Sequence, residues 1–315
     1  MRGGCGILRV GLVGVGGISG AHIPAWDSAE DAELCALCDI RPEQMEKYPD
    51  KAHYTDFEEM LAREKLDIVD ICLPTYLHAE YAAKAMEHGL HVLCEKPVSL
   101  RREDVEQLYG LAAVRGVTFM IAQVVRFWPE YEAVRRLYES GEYGRLLSGS
   151  MSRLGRYPAW SWDDWMMDEV RSGLVPFDLH IHDLDFLVDA FGAPQKATAF
   201  RKKLPDQDYL QAVYEFDGFF VSAEASWYAS PYPFRMSFLF QFEHAVAAYE
   251  NSRLMIYPRG GEGFCASEEA QADTGHISLP KSDGYTREIR YFTECVRAHR
   301  PADRIRPEQL LTVLD

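Results

Sequence analysis

Short apolar runs and helical patterns alternate over the first 122 residues of the chain. The apolar runs cover residues 7–13, 33–38, 67–73, 90–94 and 117–122. Strands that alternate with helices are joined by crossover connections, which make the strands parallel. The runs are continuously apolar rather than alternating, which indicates strands that are covered on both faces. We therefore predict an α/β Rossmann domain over residues 1–122, with a doubly wound parallel sheet.

The pattern changes after residue 122. A predicted helix over residues 129–140 is followed by a long loop and a helix near residues 177–191. Runs with strand character then cover residues 196–202, 209–216, 219–228, 234–242 and 245–251. Phe216-Asp-Gly-Phe219 signals a hairpin because Asp-Gly readily adopts the positive φ of a tight turn. We predict a second, α+β domain over residues 123–315 with a mainly antiparallel open sheet, and allow for the last helix to return to the first domain.

Composition and charge exclude several classes of function. The chain has 33 Lys and Arg against 49 Asp and Glu, a net charge of −16, whereas nucleic acids and anionic membranes attract cationic surfaces. No apolar stretch approaches the ~20 residues of a membrane-spanning helix, and the first residues lack the apolar segment of a signal peptide. We expect a cytoplasmic protein with a small-molecule substrate and with neither nucleic acid nor membrane as partner.

A glycine turn follows the first predicted strand and opens a helix. In Gly14-x-Gly16-x-x-Ser19, the first glycine permits the tight turn, and Gly16 lacks a Cβ that would keep a pyrophosphate from the helix N-terminus. Asp39 ends the next strand, at about the spacing of a carboxylate that binds an adenosine ribose. This carboxylate favours NAD, whereas Arg41 could hold the 2′-phosphate of NADP. The expected cofactor ligands are Gly14, Gly16, Gly17, Ile18, Ser19, Asp39 and Arg41; a glycine turn without a ligand is the less favoured alternative.

Lys96 and an acidic helix supply candidate catalytic groups. Lys96 follows a predicted strand, at the sheet edge where open α/β sheets bind ligands; position alone supports a surface lysine equally well. On the later helix, Asp178 and His182 are four residues apart and can meet on one face. A carboxylate beside an imidazole can stabilise its cation and fix its tautomer, as a general base requires. The alternative is a solvated acidic face, and we expect no metal site because His180 points away from His182.

Two further residues are candidate substrate ligands beside Asp178. Arg126 lies just after the domain junction and could bind substrate or cofactor, or could bridge the domains. Trp162, with Trp160 and Trp165, could stack on a sugar ring or nicotinamide, or belong to the core or a lid.

The combination of motifs resembles the Gfo/Idh/MocA family (glucose–fructose oxidoreductase, inositol dehydrogenase, rhizopine catabolism) over nearly the whole chain. The motifs are the glycine turn, Asp39, Leu73-Pro-Thr-Tyr-Leu-His78, Glu95-Lys-Pro97, Arg126-Phe and Asp178-x-x-x-His182-Asp-x-Asp185. The resemblance implies hydride transfer between nicotinamide, as NAD or NADP, and a secondary hydroxyl or ketone of a sugar, polyol, inositol or glycoside. It also implies a homodimer or homotetramer that packs through the C-terminal sheet.

The same resemblance assigns residues. Lys96, Asp178 and His182 match the family's catalytic residues, and its nicotinamide-side loops are matched by Pro74, Thr75, His78, Glu95 and Lys96. Two segments depart from the family: Ser19 replaces a small apolar residue, and Leu174-Val-Pro-Phe177 replaces a more glycine-rich approach to Asp178. Two other functions stay open, a redox-assisted glycoside-cleaving enzyme with recycled NAD and a non-catalytic NAD(P)-binding regulator. Retention of the catalytic set argues against the regulator.

Overall fold

The computed structural model describes residues 6–267 and 284–315, which form two compact units. Unit 1 comprises residues up to Val124 together with Tyr285–Pro307, and unit 2 comprises the other described residues. The segment of the second half that belongs to unit 1 is therefore the penultimate helix, Gly284–Arg297, and not the last one. In the described ranges, no helix has both the length and the apolar composition needed to cross a membrane.

Unit 1 contains a parallel sheet that is six strands wide within the described residues, in the order β3-β2-β1-β4-β5-β6. Its elements, in chain order, are β1 (Leu8–Val13), α1 (Ser19–Asp27), β2 (Ala32–Cys38), β3 (Ala52–Tyr54), α2 (Phe57–Arg63), β4 (Ile68–Ile71), α3 (Thr75–Glu87), β5 (His91–Glu95), α4 (Arg102–Arg115) and β6 (Phe119–Ala122). All residues of β4 and β6 are buried, which confirms strands covered on both faces. Strand order reverses between β1 and β4, and ligands of open α/β sheets bind at such a switch point.

Unit 2 contains a mainly antiparallel sheet, eight strands wide in the described part of the chain, in the order β14-β13-β12-β11-β7-β10-β9-β8. Its elements are α5 (Pro129–Ser140), β7 (Leu146–Arg156), α6 (Glu169–Ser172), α7 (Ile181–Phe191), β8 (Lys196–Leu204), β9 (Gln207–Glu215), β10 (Phe220–Tyr228), β11 (Arg235–Phe242), β12 (Ala245–Glu250), β13 (Arg253–Pro258) and β14 (Phe264–Cys265). The predicted hairpin is present, since β9 and β10 pair antiparallel and Gly218 has φ +83°. Two helices complete the described chain, α8 (Gly284–Arg297) and α9 (Pro307–Leu314).

Strand β7 corrects the sequence prediction, which placed a loop after residue 140. It lies at the centre of the sheet, parallel to β10 and antiparallel to β11. Its sequence is rich in serine and glycine, which have low strand propensity, so the strand was not recognised. Gly149 is required there because a Cβ at that position would lie 2.7 Å from the ring of Phe240.

The helices of unit 2 bury apolar side chains. Ile181, Leu184 and Val188 form an apolar cluster with Val313 of α9. Val175 and Leu179 belong to a second cluster, with Trp227 of β10. In the sequence, Asp178 lies between Val175 and Leu179, and His182 lies between Ile181 and Leu184, so the packing of these neighbours fixes the backbone of the candidate site.

Candidate functional site

The carboxyl ends of the unit 1 strands bring most of the predicted cofactor residues to one edge of the sheet. The glycine turn follows β1, Asp39 follows β2, Pro74 follows β4 and Lys96 follows β5. Parallel strands place these loops side by side, and open α/β sheets bind ligands at this edge. Lys96 is half-buried there.

The glycine turn has the geometry that a pyrophosphate site requires. Gly14 has φ +93°, and a Cβ there would lie 2.6 Å from the carbonyl oxygen of Cys72. A Cβ on Gly16, in contrast, would have no atom of the described residues within 4 Å. The space beside Gly16 is therefore open at the start of α1, where backbone N–H groups favour an anion. Ser19 is buried and donates a 2.7 Å hydrogen bond from Oγ to the Gly16 carbonyl, which explains how a polar residue fits the third position.

Asp39 is held in a fixed orientation beside the turn. Its Oδ2 accepts a 2.8 Å hydrogen bond from the backbone of Val15, and its Oδ1 accepts one of 2.8 Å from the backbone of Arg41. The Nε of Arg41 also lies 3.3 Å from Oδ1. Gly17 is exposed and Ile18 half-buried at the first turn of α1. The open space, the helix start and the oriented carboxylate fit a dinucleotide.

His78 connects the loops that follow β4 and β5. It is buried, with Nδ1 2.7 Å from the Pro97 carbonyl oxygen and Nε2 2.6 Å from the Leu73 carbonyl oxygen. Burial lowers the pKa of the ring, and the two carbonyl contacts oppose that shift. Thr75 is buried at the start of α3. Both nitrogens of His78 are used by the protein, so we infer that this histidine shapes the loops rather than presenting a ring nitrogen to a ligand.

The carboxyl group of Glu95 also has its hydrogen-bond partners within unit 1. Its Oε1 lies 3.0 Å from Nε2 of His22, and its Oε2 accepts a 3.0 Å hydrogen bond from the backbone N–H of Lys96. The Nδ1 of His22 lies 2.8 Å from Oδ2 of Asp70. His22 and Asp70 are missing from the sequence prediction. The available signal was a charged residue inside the apolar run 67–73, since a buried charge requires a partner.

The neighbouring charges set the protonation of this cluster. Burial on its own would lower the pKa of His22, but the carboxylate of Asp70 raises it well above its ordinary value. Burial would likewise raise the pKa of Glu95, and the hydrogen bond and charge of His22 lower it instead. Both directions favour a protonated His22 ring between the carboxyl groups of Asp70 and Glu95.

In unit 2, Asp178 lies in a π-helical turn, Pro176–His180, that leads directly into α7, and His182 lies in the first turn of α7. Both side chains are half-buried. Leu174 precedes this turn with φ +60°, a conformation that is strained for a branched side chain. Single π turns and strained residues are frequent at functional sites. Catalysis by Asp178 and His182 stays a prediction.

Arg126 is engaged within unit 2. The side chain is buried, and its guanidinium forms two hydrogen bonds with Asp185, at 2.8 and 2.6 Å, and others with Asp189 and Gln309. The polar side chains of α7 thus take part in an internal ion-pair network. This geometry favours a structural role for Arg126 over the predicted contact with substrate. It also shows that Asp185 is not part of a solvated face.

The remaining candidates of unit 2 differ in exposure. His180 is 3% exposed, and its Nε2 lies 2.7 Å from the hydroxyl of Tyr214. Burial lowers the pKa of His180 to about 4, so this ring is neutral at physiological pH. Trp162 is 40% exposed and Trp160 64% exposed, whereas Trp165 packs against the core of unit 2. The role of Trp162 as a substrate ligand stays a prediction.

The fold and the glycine-turn site define an NAD-binding Rossmann oxidoreductase class, and comparison with family models identifies it. Residues 8–123 match the model of the Gfo/Idh/MocA oxidoreductase family, described as its NAD-binding Rossmann fold. Residues 131–258 match the C-terminal domain of the same family. The chain belongs to the Gfo/Idh/MocA family, as its motifs indicate.

Similar proteins include several named dehydrogenases. The chain is 29% identical over 192 residues to D-glucoside 3-dehydrogenase of Escherichia coli (strain K12), a match that covers 59% of this chain and 55% of that protein. It is 27% identical to scyllo-inositol 2-dehydrogenase (NADP(+)) of Bacillus subtilis (strain 168), with 68% of each chain covered. The chain thus spans about half to two thirds of the length of these relatives.

Solved structures share the fold. A levoglucosan dehydrogenase in complex with NADH and levoglucosan has a TM-score of 0.81 at 19% identity, with 98% of this chain and 94% of that chain covered. A dehydrogenase from Chromobacterium violaceum has a TM-score of 0.81 at 20% identity, with 99% and 93% covered. The chain therefore has the fold of known dehydrogenases.

Proposed function

We propose that the protein is an NAD(P)-dependent oxidoreductase that transfers hydride between nicotinamide and a secondary hydroxyl or ketone of a sugar, polyol, inositol or glycoside. The observation that carries the proposal is the carboxyl edge of the unit 1 sheet. There an open space beside Gly16, an oriented Asp39 and Lys96 follow neighbouring strands. Relatives named for glucosides and inositols support a polyhydroxylated substrate.

The protein residues would bind the cofactor and move the proton. The turn from Gly14 to Ser19 holds the pyrophosphate, and Asp39 accepts a hydrogen bond from the adenosine ribose. When bound, nicotinamide supplies the hydride chemistry. His182 accepts the proton of the substrate hydroxyl on a ring nitrogen, while Asp178 orients the imidazole. Lys96 stabilises the negative charge that develops on the substrate oxygen.

Three glycine variants test cofactor binding. Gly16→Ala adds a methyl group in the space proposed for the pyrophosphate, where it meets no described protein atom. We expect its midpoint of urea unfolding to stay near that of the wild type while its NADH affinity, measured by fluorescence titration, falls at least tenfold. Gly14→Ala forces a positive φ and a clash with Cys72, so both quantities should fall. Gly20→Ala, also without a contact, is the control. Unchanged NADH affinity in Gly16→Ala would contradict the proposed site.

A substrate screen tests the reaction. Inositols, aldoses and glycosides are incubated with NAD or NADP, and reduced nicotinamide is followed by absorbance. With an active substrate, Lys96→Ala should lower kcat by about 10²- to 10³-fold, the range for a lost charge-stabilising donor. Lys65→Ala, an exposed lysine, should match the wild type. Glycoside cleavage without net accumulation of reduced cofactor would favour the redox-assisted glycosidase instead.

Asp39 and Arg41 bear on the choice between cofactors. We propose NAD, because the Asp39 carboxylate repels a 2′-phosphate. Arg41 lies against Asp39 and offsets part of this repulsion, so Arg41→Ala should raise the ratio of kcat/KM for NAD over NADP. An unchanged or lower ratio would contradict this role of Arg41 in the choice of cofactor.

We further propose a cytoplasmic homo-oligomer that packs through the open face of the unit 2 sheet. This face carries Phe220 and Leu239, which are 50% and 42% exposed, among serine side chains of β7 and β10. A second copy is the proposed occupant because large exposed apolar side chains on one sheet face are typical of an interface. Light scattering should give a dimer or tetramer, and Leu239→Glu should shift the mass toward the monomer. A monomeric wild-type chain would contradict this.

A further inference from the structure

A buried chain of hydrogen bonds runs from Asp70 of β4 through His22 of α1 and Glu95 of β5 to the backbone of Lys96. Asp70 contacts one nitrogen of His22 at 2.8 Å, and the other nitrogen contacts Glu95 at 3.0 Å. Glu95 then accepts the backbone N–H of Lys96 at 3.0 Å. His22 and Asp70 are fully buried and Glu95 is 5% exposed. Water therefore does not compete for these bonds.

We propose that His22 is a positioning residue for Lys96, holding the Glu95 carboxylate in the orientation that fixes the Lys96 backbone. A carboxylate only accepts hydrogen bonds, so both ring nitrogens of His22 must carry a proton to bind Asp70 and Glu95 together. The ring is then an imidazolium. The inference rests on the proposed function, in which Lys96 contacts substrate.

The surroundings of His22 favour the doubly protonated ring. Oδ2 of Asp70 also accepts a 2.7 Å hydrogen bond from the indole Nε1 of Trp26. The ring of Tyr285 lies 5.4 Å from the ring of His22, at an interplanar angle of 58°. An aromatic ring at this distance attracts a cation. Within the described residues, the titratable groups that face the cluster are Asp70 and Cys72 at β4, Cys94, Glu95 and Lys96 at β5, His78 on α3, Tyr285 and Glu288 on α8, and Arg304.

Glu288 completes the charge balance of the cluster. It is fully buried, and neither of its carboxylate oxygens has a hydrogen-bond partner within the described residues. Burial raises the pKa of Glu288 well above its ordinary value, and the charge of Glu95 raises it further. The raised pKa favours the neutral form of Glu288. Without the proton on His22, the buried carboxyl groups of Asp70 and Glu95 would lose the cation that is hydrogen-bonded to both of them, which is unfavourable.

The same atoms do not have the geometry of a metal centre. His22, Asp70 and Cys72 offer ligand atoms within 4.8 Å of one another. Tetrahedral ligands that lie about 2.0–2.3 Å from a zinc ion are about 3.3–3.8 Å from one another. Nδ1 of His22 and Oδ2 of Asp70 are only 2.8 Å apart, the distance of a direct hydrogen bond. The hydrogen-bonded cluster of Asp70, His22 and Glu95, called the relay below, is therefore not a metal site.

The first test measures the proton on His22 without any need for activity. With ¹⁵N-labelled histidine, the two ring nitrogens of His22 should both carry protons at pH 7, and the signal is assigned by its loss in His22→Gln. A ring with a single proton at pH 7 would overturn the proposal. This result does not depend on whether a substrate is found.

The second test separates positioning from simple stability. His22→Gln removes the cation beside Glu95, so burial should raise the pKa of Glu95. The carboxylate must be ionised to hold Lys96, and activity should therefore fall at a higher pH than in the wild type as the solution is acidified. At pH 7 we expect kcat to fall about 10- to 100-fold, with the NADH dissociation constant within about twofold of the wild-type value. A wild-type pH profile in a folded His22→Gln would overturn the proposal.

Two further variants complete the design. Leu108→Ala removes a buried side chain of α4, far along the chain from the relay; it should lose stability and keep the wild-type pH profile. Glu95→Gln removes the charge and keeps the shape, so its loss of kcat should resemble that of His22→Gln. In the double variant His22→Gln/Glu95→Gln, the combined loss of kcat should be smaller than the product of the two single losses, because both changes break the same chain of hydrogen bonds. Multiplying losses would count against the relay. Failure of the substrate screen with wild-type protein would count against the proposed function, while the NMR result would still decide the state of His22.

Discussion

His22 of unit 1 and His180 of unit 2 are both buried, and their pKa values shift in opposite directions. His22 of unit 1 is fully buried, yet the charge of Asp70 raises its pKa well above the ordinary value. His180 of unit 2 is 3% exposed, and burial lowers its pKa to about 4. His22 contacts two carboxylates, whereas His180 contacts the hydroxyl of Tyr214. The difference teaches that burial disfavours the charge of either ring and that direct carboxylate contacts decide which ring keeps its proton.

The largest expected loss of stability follows from removing the counter-charge of His22. Asp70→Asn leaves a buried cation with one carboxylate partner, and breaking a buried ion pair in this way typically lowers the free energy of unfolding by about 3–5 kcal/mol. Urea unfolding at pH 7 measures it. Asp67→Asn is the matched control, since Asp67 immediately precedes the same strand and is exposed; its effect should stay below about 1 kcal/mol. Equal effects of the two variants would remove the basis of the comparison.

The pH dependence of stability should show the state of His180. Because the folded protein binds this proton more weakly than the unfolded chain, the stabilisation is complete above pH 6.5 and is lost as the pH falls from 6.5 to about 4. The loss over that range is about 3 kcal/mol. His180→Phe should remove this part of the slope, and His88→Gln, at an exposed position, should keep it. His22 contributes with the opposite sign, since its raised pKa stabilises the fold until the pH exceeds that value.

The smallest expected effect concerns the hydroxyl of Tyr214. Tyr214→Phe removes the 2.7 Å hydrogen bond to Nε2 of His180 and should lower the free energy of unfolding by about 1–2 kcal/mol. If His180 is neutral, this loss should be the same at pH 7 and pH 8. A loss that changes between these values would show that His180 titrates there.

Most of the fold could be predicted because its signals are local. Continuous apolar runs gave the strands of unit 1, and Asp-Gly marked the hairpin between β9 and β10. Strand β7 carried no such signal, since its serines and glycines are placed by their neighbours rather than by propensity. Gly149 faces the ring of Phe240, 91 positions away, and no local pattern records that contact.

The candidate site divides in the same way. The glycine turn and Asp39 could be predicted from spacing because they lie within one strand–helix–strand unit. The partners of Glu95 could not, since His22 is 73 positions away in the sequence. The partners of Arg126 could not be predicted for the same reason, since Asp185 lies 59 positions on and a helical pattern does not show what its polar side chains face.

The ring of His78 couples the segments that follow β4 and β5 to one another. One imidazole joins the carbonyls of Leu73 and Pro97, so displacing either backbone strains the other. Loop grafting from a relative should therefore transplant both segments together with the histidine. Exchanging one segment alone would leave a ring nitrogen of His78 without its carbonyl partner and would displace the backbone next to Lys96.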